Sequence, residues 1–261
     1  MKLSFIGAGN MAGAIMGGLL DGFCKPQDIT IYDVSEKAVE RWSKKGVQVT
    51  KSVKEAVEQS DVTILAVKPN VLMQVLQEVM QADGLEQKLL LSIAAGISRQ
   101  KIADKLQDRC HTLRIMPNTP AMVGEGMSVI FDNGYQEDVA VAQRIMEQVG
   151  KTLVMQETYV DAVTAVSGSG PAYFYMALEA MADGGVLCGL PRQTSYILAA
   201  QTMLGAAKML LETGKHPGEL KDQVCSPGGT TIEAVAALEE LGLRQAMIEA
   251  VKRCRDKSAN L

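Results

Sequence analysis

Short apolar runs alternate with amphipathic stretches through the first 156 residues. The runs predict strands at 3–6, 29–32, 48–50, 62–66, 89–93, 112–116, 128–131 and 152–155. Helical spacing of apolar positions separates most of them, as at 36–44, 70–81 and 137–149. Strands and helices alternating in this way predict a mainly parallel sheet with helices on both faces. Right-handed crossovers then make it doubly wound. After about residue 158 the strand signals stop. Residues 161–188, 192–212, 230–241 and 243–257 predict helices, with joints at 189–191, 214–218 and 227–229 where Gly and Pro collect. The expected organisation is therefore an α/β domain over 1–158 and an all-helical domain over 159–261.

The first predicted strand runs straight into Gly7-Ala8-Gly9-Asn10-Met11-Ala12, which fits G-x-G-x-x-A and opens a helix at 10–20. The first Gly permits a tight turn, the second lets a pyrophosphate reach the backbone, and the small sixth residue lets helix and strand pack closely. Free amides and the helix dipole then face the phosphates. A plainer reading is a tight turn with no ligand. The second strand ends at Asp33, where an acid accepts hydrogen bonds from ribose hydroxyls and repels a 2′-phosphate; alternatively Asp33 or Ser35 caps the next helix. Ala66-Val67-Lys68-Pro69 follows the fourth strand at the carboxyl edge, where open α/β sheets bind ligands. Pro69 equally suits a first helical position beside a solvated Lys68. Ala95, Gly96 and Asn118 follow the next two long strands at the same edge.

In the helical half, Cys225-Ser226-Pro227-Gly228-Gly229-Thr230-Thr231-Ile232-Glu233 is the most informative stretch. Thr230 and Glu233 have the spacing of a capping box. Gly228-Gly229 permits backbone angles closed to other residues. Amides and hydroxyls at a helix start suit a small carboxylate, with Thr231 beside it; the plainer reading is a well-capped helix. The small-residue run 167–173 reads as a helix joint or close helix packing.

Composition narrows the field. Hydrophobic residues make 47% of the 261, as in a folded protein. The net charge of −4 supplies no general pull toward nucleic acid or anionic membrane. No apolar run approaches the roughly 18 residues of a membrane span. His111 and His216 are far apart and no C-x-x-C pair exists, so no metal site is expected. The start, MKLSFIGAGN, reads as neither a signal nor a transit peptide. With five scattered cysteines, the expectation is a cytoplasmic protein with reduced thiols.

The order of these segments resembles the pyrroline-5-carboxylate reductase family across essentially the whole chain: the glycine turn, AVKP at 66–69, SIAAGIS at 92–98, RIMPNTPA at 114–121, SGSGPAY at 167–173 and CSPGGTTIEAVAALE at 225–239. The resemblance implies a Rossmann-type domain followed by a helical dimerisation domain. It further implies a homodimer that assembles into a larger oligomer, and an active site completed across the dimer. It implies reduction of 1-pyrroline-5-carboxylate to L-proline, the last step of proline biosynthesis, with NADPH or NADH. The cofactor would lie against Ile6, Gly7, Ala8, Gly9, Asn10, Met11, Asp33, Ala66, Val67, Lys68, Pro69, Ala95, Gly96 and Asn118. The substrate would lie against Ser226, Gly228, Gly229, Thr230 and Thr231, with Thr231 the catalytic candidate. Two positions depart from the family's habit. Asp33-Val34-Ser35 stands where a segment suited to a 2′-phosphate is common, and Val53 where an Asn is common. A dehydrogenase of the β-hydroxyacid type would need a Lys early in the helix after the boundary, and 161–188 contains none. A cofactor sensor without turnover is the non-enzymatic alternative.

Overall fold

The computed structural model describes residues 1–260. Its elements run β1 (Leu3–Ile6), α1 (Asn10–Leu20), β2 (Ile29–Tyr32), α2 (Glu36–Ser43), β3 (Gln48–Val49), α3 (Val53–Glu58), β4 (Val62–Leu65), α4 (Pro69–Val79), β5 (Leu89–Ser92), α5 (Arg99–Lys105), β6 (His111–Met116), β7 (Gly126–Phe131), α6 (Gln136–Met146) and β8 (Gly150–Met155). Helices follow: α7 (Val160–Val163), α8 (Gly170–Leu187), α9 (Arg192–Thr213), α10 (Pro217–Val224), α11 (Thr230–Glu240) and α12 (Leu243–Ser258). Two compact units result, one of Met1–Gly168 with the chain from Arg255 on, the other of Ser169–Cys254.

In the first unit the eight expected strands form one sheet in the order β3-β2-β1-β4-β5-β6-β7-β8. All neighbours are parallel except β6 and β7. The period of two along each strand divides two cores. Leu3, Phe5, Ile64, Leu91 and Leu113 face α1 and α6, with Ile15, Met16 and Trp42 above them. Ile6, Leu65 and Leu90 face the other way, onto Leu72, Leu76 and Ile102 of α4 and α5. Burial on both faces explains why these strands read as unbroken apolar runs. The order reverses between β1 and β4, so the crevice at their carboxyl ends is the topological switch point.

The second unit is of another kind. Its helices bury very little: Gly170 and Ala182 in α8, Ser195 and Ala199 in α9, and no residue of α10 or α11. Large apolar side chains stay open instead, among them Phe174, Tyr175, Met176, Leu211 and Leu241.

Three expectations need correction. Residues 161–188 are not one helix: after α7 the backbone widens into a π-helical turn, Thr164–Gly168, and restarts at Gly170 with Pro171 in its first turn. Proline supplies no amide to the preceding turn, so the helix restarts there. The joint expected at 214–218 is shorter, because α10 already begins at Pro217, with the His216 Nδ1 accepting from the Gly218 amide at 3.0 Å. Proline at the start and histidine as cap make a helix N-terminus out of a stretch that reads as turn-forming. The third correction concerns the start of α11 and is taken up below.

Candidate functional site

The glycine turn sits at the switch point. Gly7 has φ +94°, and a Cβ there would lie 2.8 Å from the Ala66 carbonyl oxygen. The turn therefore requires glycine twice over, for its dihedral and for contact with the end of β4. The Gly7 amide donates to the Tyr32 carbonyl at 2.8 Å, tying the turn to β2 as well. Gly9 is the N-cap of α1 with an ordinary φ of −70°, and a Cβ there would meet nothing within 4 Å. The backbone here is open on one side, which leaves room for a ligand to approach it. Behind the turn Ala12 is buried, as close helix–sheet packing needs.

Asp33 is held in place by two backbone amides. Its Oδ2 accepts from Ala8 at 2.6 Å and its Oδ1 from Ser35 at 2.7 Å. The carboxylate is thus drawn into the glycine turn. Ser35 is the N-cap of α2, but its side chain caps nothing. Beside Asp33 opens a cleft of about 220 Å³ walled by Ile6, Gly7, Tyr32, Val34 and Val67, and by one face of α4. Its apolar slab with a few polar edges is the usual character of a small-ligand site.

The other cofactor candidates divide. Lys68 is the exposed N-cap residue of α4 and Pro69 its first helical residue. The Ala66 amide is used by the Ile6 carbonyl at 2.9 Å. Ala95 is exposed and Gly96 turns the β5–α5 loop with φ +74°. Asn118 is occupied within the protein: its Oδ1 accepts from the Met127 amide at 2.8 Å, and its Nδ2 donates to the Ser167 carbonyl at 3.2 Å. Val53 is fully buried at the start of α3, outside the lining of the cleft.

In the second unit, Gly228 adopts φ +66°, and a Cβ on Gly229 would run into the Ser226 Oγ. The Gly229 amide closes the turn onto the Ser226 carbonyl at 3.0 Å. The expected capping box does not form. Gly229, not Thr230, is the N-cap, and no side chain caps the helix. The left-handed Gly228 advances the helix start by one residue, which puts Thr230 and Thr231 in its first turn. Among the described residues neither hydroxyl has a hydrogen-bond partner, so both remain available beside the positive end of α11.

The sequence reading passed over two features near these loops. Arg114, on β6, is 5% exposed, and its Nη1 reaches the Glu157 Oε1 at 3.0 Å. The same oxygen accepts from the Arg99 amide at 2.9 Å, which anchors the far end of the loop carrying Ala95 and Gly96. The other is the π-helical turn, which leaves the Ser167 carbonyl free to accept from Asn118. An arginine between Leu113 and Ile115 in a predicted strand was the available signal for the first; the second left none.

A doubly wound sheet with a glycine turn and an apolar cleft at its switch point is the architecture of the NAD(P)-dependent oxidoreductases. Residues 157–261 match the model of the pyrroline-5-carboxylate reductase dimerisation family, and residues 2–96 match that of NADP oxidoreductase, coenzyme F420-dependent. The chain is 44% identical to pyrroline-5-carboxylate reductase of Escherichia coli (strain K12), over 100% of this chain and 98% of that one. With the Arabidopsis thaliana enzyme the identity is 43%, over 100% and 95%. Among solved structures it is similar to a pyrroline-5-carboxylate reductase from Coxiella burnetii, with TM-score 0.93, 33% identity and coverage of 99% and 97%. The NADP-bound Plasmodium falciparum pyrroline carboxylate reductase gives TM-score 0.87 at 31% identity, covering 99% and 97%. The chain belongs to the pyrroline-5-carboxylate reductase family.

Proposed function

We propose that this protein reduces 1-pyrroline-5-carboxylate to L-proline with NAD(P)H, the final step of proline biosynthesis, and that Thr231 and its loop hold the substrate. One observation carries the assignment of the site: two unpartnered hydroxyls at the N-terminus of α11, behind a turn that only Gly228 allows. The substrate is a cyclic imine bearing a carboxylate. Amides of Thr230 and Thr231 and the helix dipole stabilise that anion, while the Gly229 amide holds the turn on Ser226, which borders it. The Thr231 hydroxyl accepts from, or donates to, the ring nitrogen as its proton is added. The residues that fit the cofactor are Gly7 to Met11, Asp33 and Ala66 to Pro69, around a turn whose face at Gly9 is open. Bound there, reduced nicotinamide supplies the hydride that the imine carbon accepts. A protonated imine is electrophilic enough to need no metal, so the protein's work is orientation and exclusion of water, worth several kcal/mol of barrier.

The exposed apolar side chains of the second unit are those of a surface completed by another copy, and its match to a dimerisation family supports a homodimer through this unit. We extend this to a larger assembly of dimers in the cytoplasm; among the described residues no helix is long and apolar enough to cross a membrane. Consumption of NADH or NADPH on adding pyrroline-5-carboxylate tests the activity. Thr231→Ala should lower kcat/KM by about 1–3 kcal/mol, roughly 5- to 150-fold, with folding intact. Unchanged kinetics in that variant would remove Thr231 from the mechanism. Tight cofactor binding with no turnover in the wild type would favour a sensor.

A further inference from the structure

We infer that the adenosine end of this dinucleotide site selects NADH over NADPH, and that Glu78 acts with Asp33 as the selecting group. The inference rests on the dinucleotide-site reading above. The face of α4 that walls the cleft carries Val71, Gln74, Val75 and Glu78, spaced to lie in one stripe along the helix. Asp33 stands at the end of β2 in the same cleft. Two carboxylates therefore line this space, and none of its lining residues is basic. Both anions are positioned without a cation. Two amides hold Asp33, and Glu78, half-buried, makes no ion pair or side-chain hydrogen bond among the described residues. Lys68, next to Val67, and Lys37, on α2, are exposed and outside the lining, while Arg41 and Lys45 stand over the Trp42 ring, 5.2 and 4.8 Å from its centroid.

The chemistry matches one dinucleotide and opposes the other. Ribose hydroxyls and an adenine amine are donors, and Asp33, Glu78 and Gln74 offer acceptors. A 2′-phosphate is an acceptor-only group of about two negative charges at neutral pH, and sites that take it supply arginine or lysine. Here it would enter a cleft lined by two carboxylates and no base.

The test is equilibrium titration of the full-length protein with NADH and with NADPH, followed by kcat/KM for each at saturating pyrroline-5-carboxylate. The wild type should favour NADH by roughly tenfold or more, and raising salt well above physiological strength should narrow that ratio because the repulsion is screened. Glu78→Gln, which keeps the shape and an acceptor, should cut the ratio roughly threefold, and Asp33→Asn should cut it further. Asp33→Asn keeps an acceptor for only one of the two backbone amides, so its thermal unfolding is measured alongside and Glu78→Gln, which touches neither amide, carries the test independently. Equal or tighter NADPH binding by the wild type overturns the inference and leaves the dinucleotide site standing. A ratio unmoved by Glu78→Gln overturns the part assigned to that residue. Binding of neither dinucleotide overturns the site reading itself.

Discussion

Two glycines in one turn separate a structural demand from a functional one. At Gly7 an alanine must adopt φ near +94°, and its methyl must sit 2.8 Å from a carbonyl oxygen of the neighbouring strand end. The dihedral costs about 1–2 kcal/mol. Forcing a methyl into packed backbone costs about 1–3 kcal/mol more. Gly7→Ala should therefore destabilise the first unit by about 2–5 kcal/mol, a fall in Tm of roughly 5–20 °C for a unit of this size. At Gly9 neither cost arises, because φ is −70° and nothing lies within 4 Å of the added methyl. Gly9→Ala should keep its stability within about 1 kcal/mol of the wild type, the scale of exchanging one N-cap residue for another, or about 2–4 °C in Tm. What it loses is the approach of a pyrophosphate to the backbone. One methyl in that contact should weaken dinucleotide binding roughly 10- to 100-fold, the overpacking cost transferred to the complex. Thermal unfolding by circular dichroism and titration by NADH fluorescence read the two effects separately. If Gly9→Ala bound NADH with wild-type affinity, the glycine turn would be a fold element and the cofactor assignment would lose its base. If Gly7→Ala melted like the wild type, the steric account of the turn would be wrong.

Two further outcomes follow from buried groups. Glu157→Ala leaves the buried Arg114 guanidinium without its carboxylate and should cost about 3 kcal/mol in urea unfolding, with Glu157→Gln costing less; a loss under about 1 kcal/mol would show the pair to be incidental. Burial pushes the Cys110 thiol up from 9.0 to about 11, so its folded form holds a proton that the unfolded form releases. The stability this contributes is intact below about pH 9 and is lost as pH climbs through about 11, up to about 3 kcal/mol across that window. Cys110→Ala should therefore lose stability less steeply between those limits, and identical pH slopes would contradict the burial argument.

The sheet was legible in the sequence because its strands are buried on both faces. Runs such as Leu3–Ile6 and Leu89–Ser92 carry no polar interruption apart from small hydroxyls, and helical spacing between them leaves one architecture. The direction of β7 was not legible. An antiparallel neighbour and a parallel one present the same apolar run, and only the short connection from β6, too brief for a covering helix, separates them. The π-helical turn at Thr164–Gly168 was invisible for a related reason: a widened turn shifts the helical face by one residue without changing which residues are small. In the second unit the apolar positions ran around the helices instead of along one stripe. That pattern signalled helices but not their neighbours, since most of those faces are left uncovered within a single chain.

The two glycine-rich loops illustrate how far local pattern reaches toward chemistry. At 7–12 the spacing anticipated both the dihedral at Gly7 and the openness at Gly9, because each glycine answers a separate geometric demand. At 225–233 the same kind of reading erred, placing a capping box where none forms. The spacing of Thr230 and Glu233 is right for one, but the positive φ of Gly228 starts the helix a residue sooner, and Gly229 takes the cap position. The error has a functional consequence. In a formed box the Thr230 hydroxyl would be spent on the Ile232 or Glu233 amide and would compete with any ligand. With glycine as the cap, the hydroxyls of both threonines and the first-turn amides remain unspent, which is the condition a site for a small carboxylate has to meet. Under the proposal above, this helix start forgoes about 1 kcal/mol of side-chain capping and keeps its donors free for the substrate carboxylate.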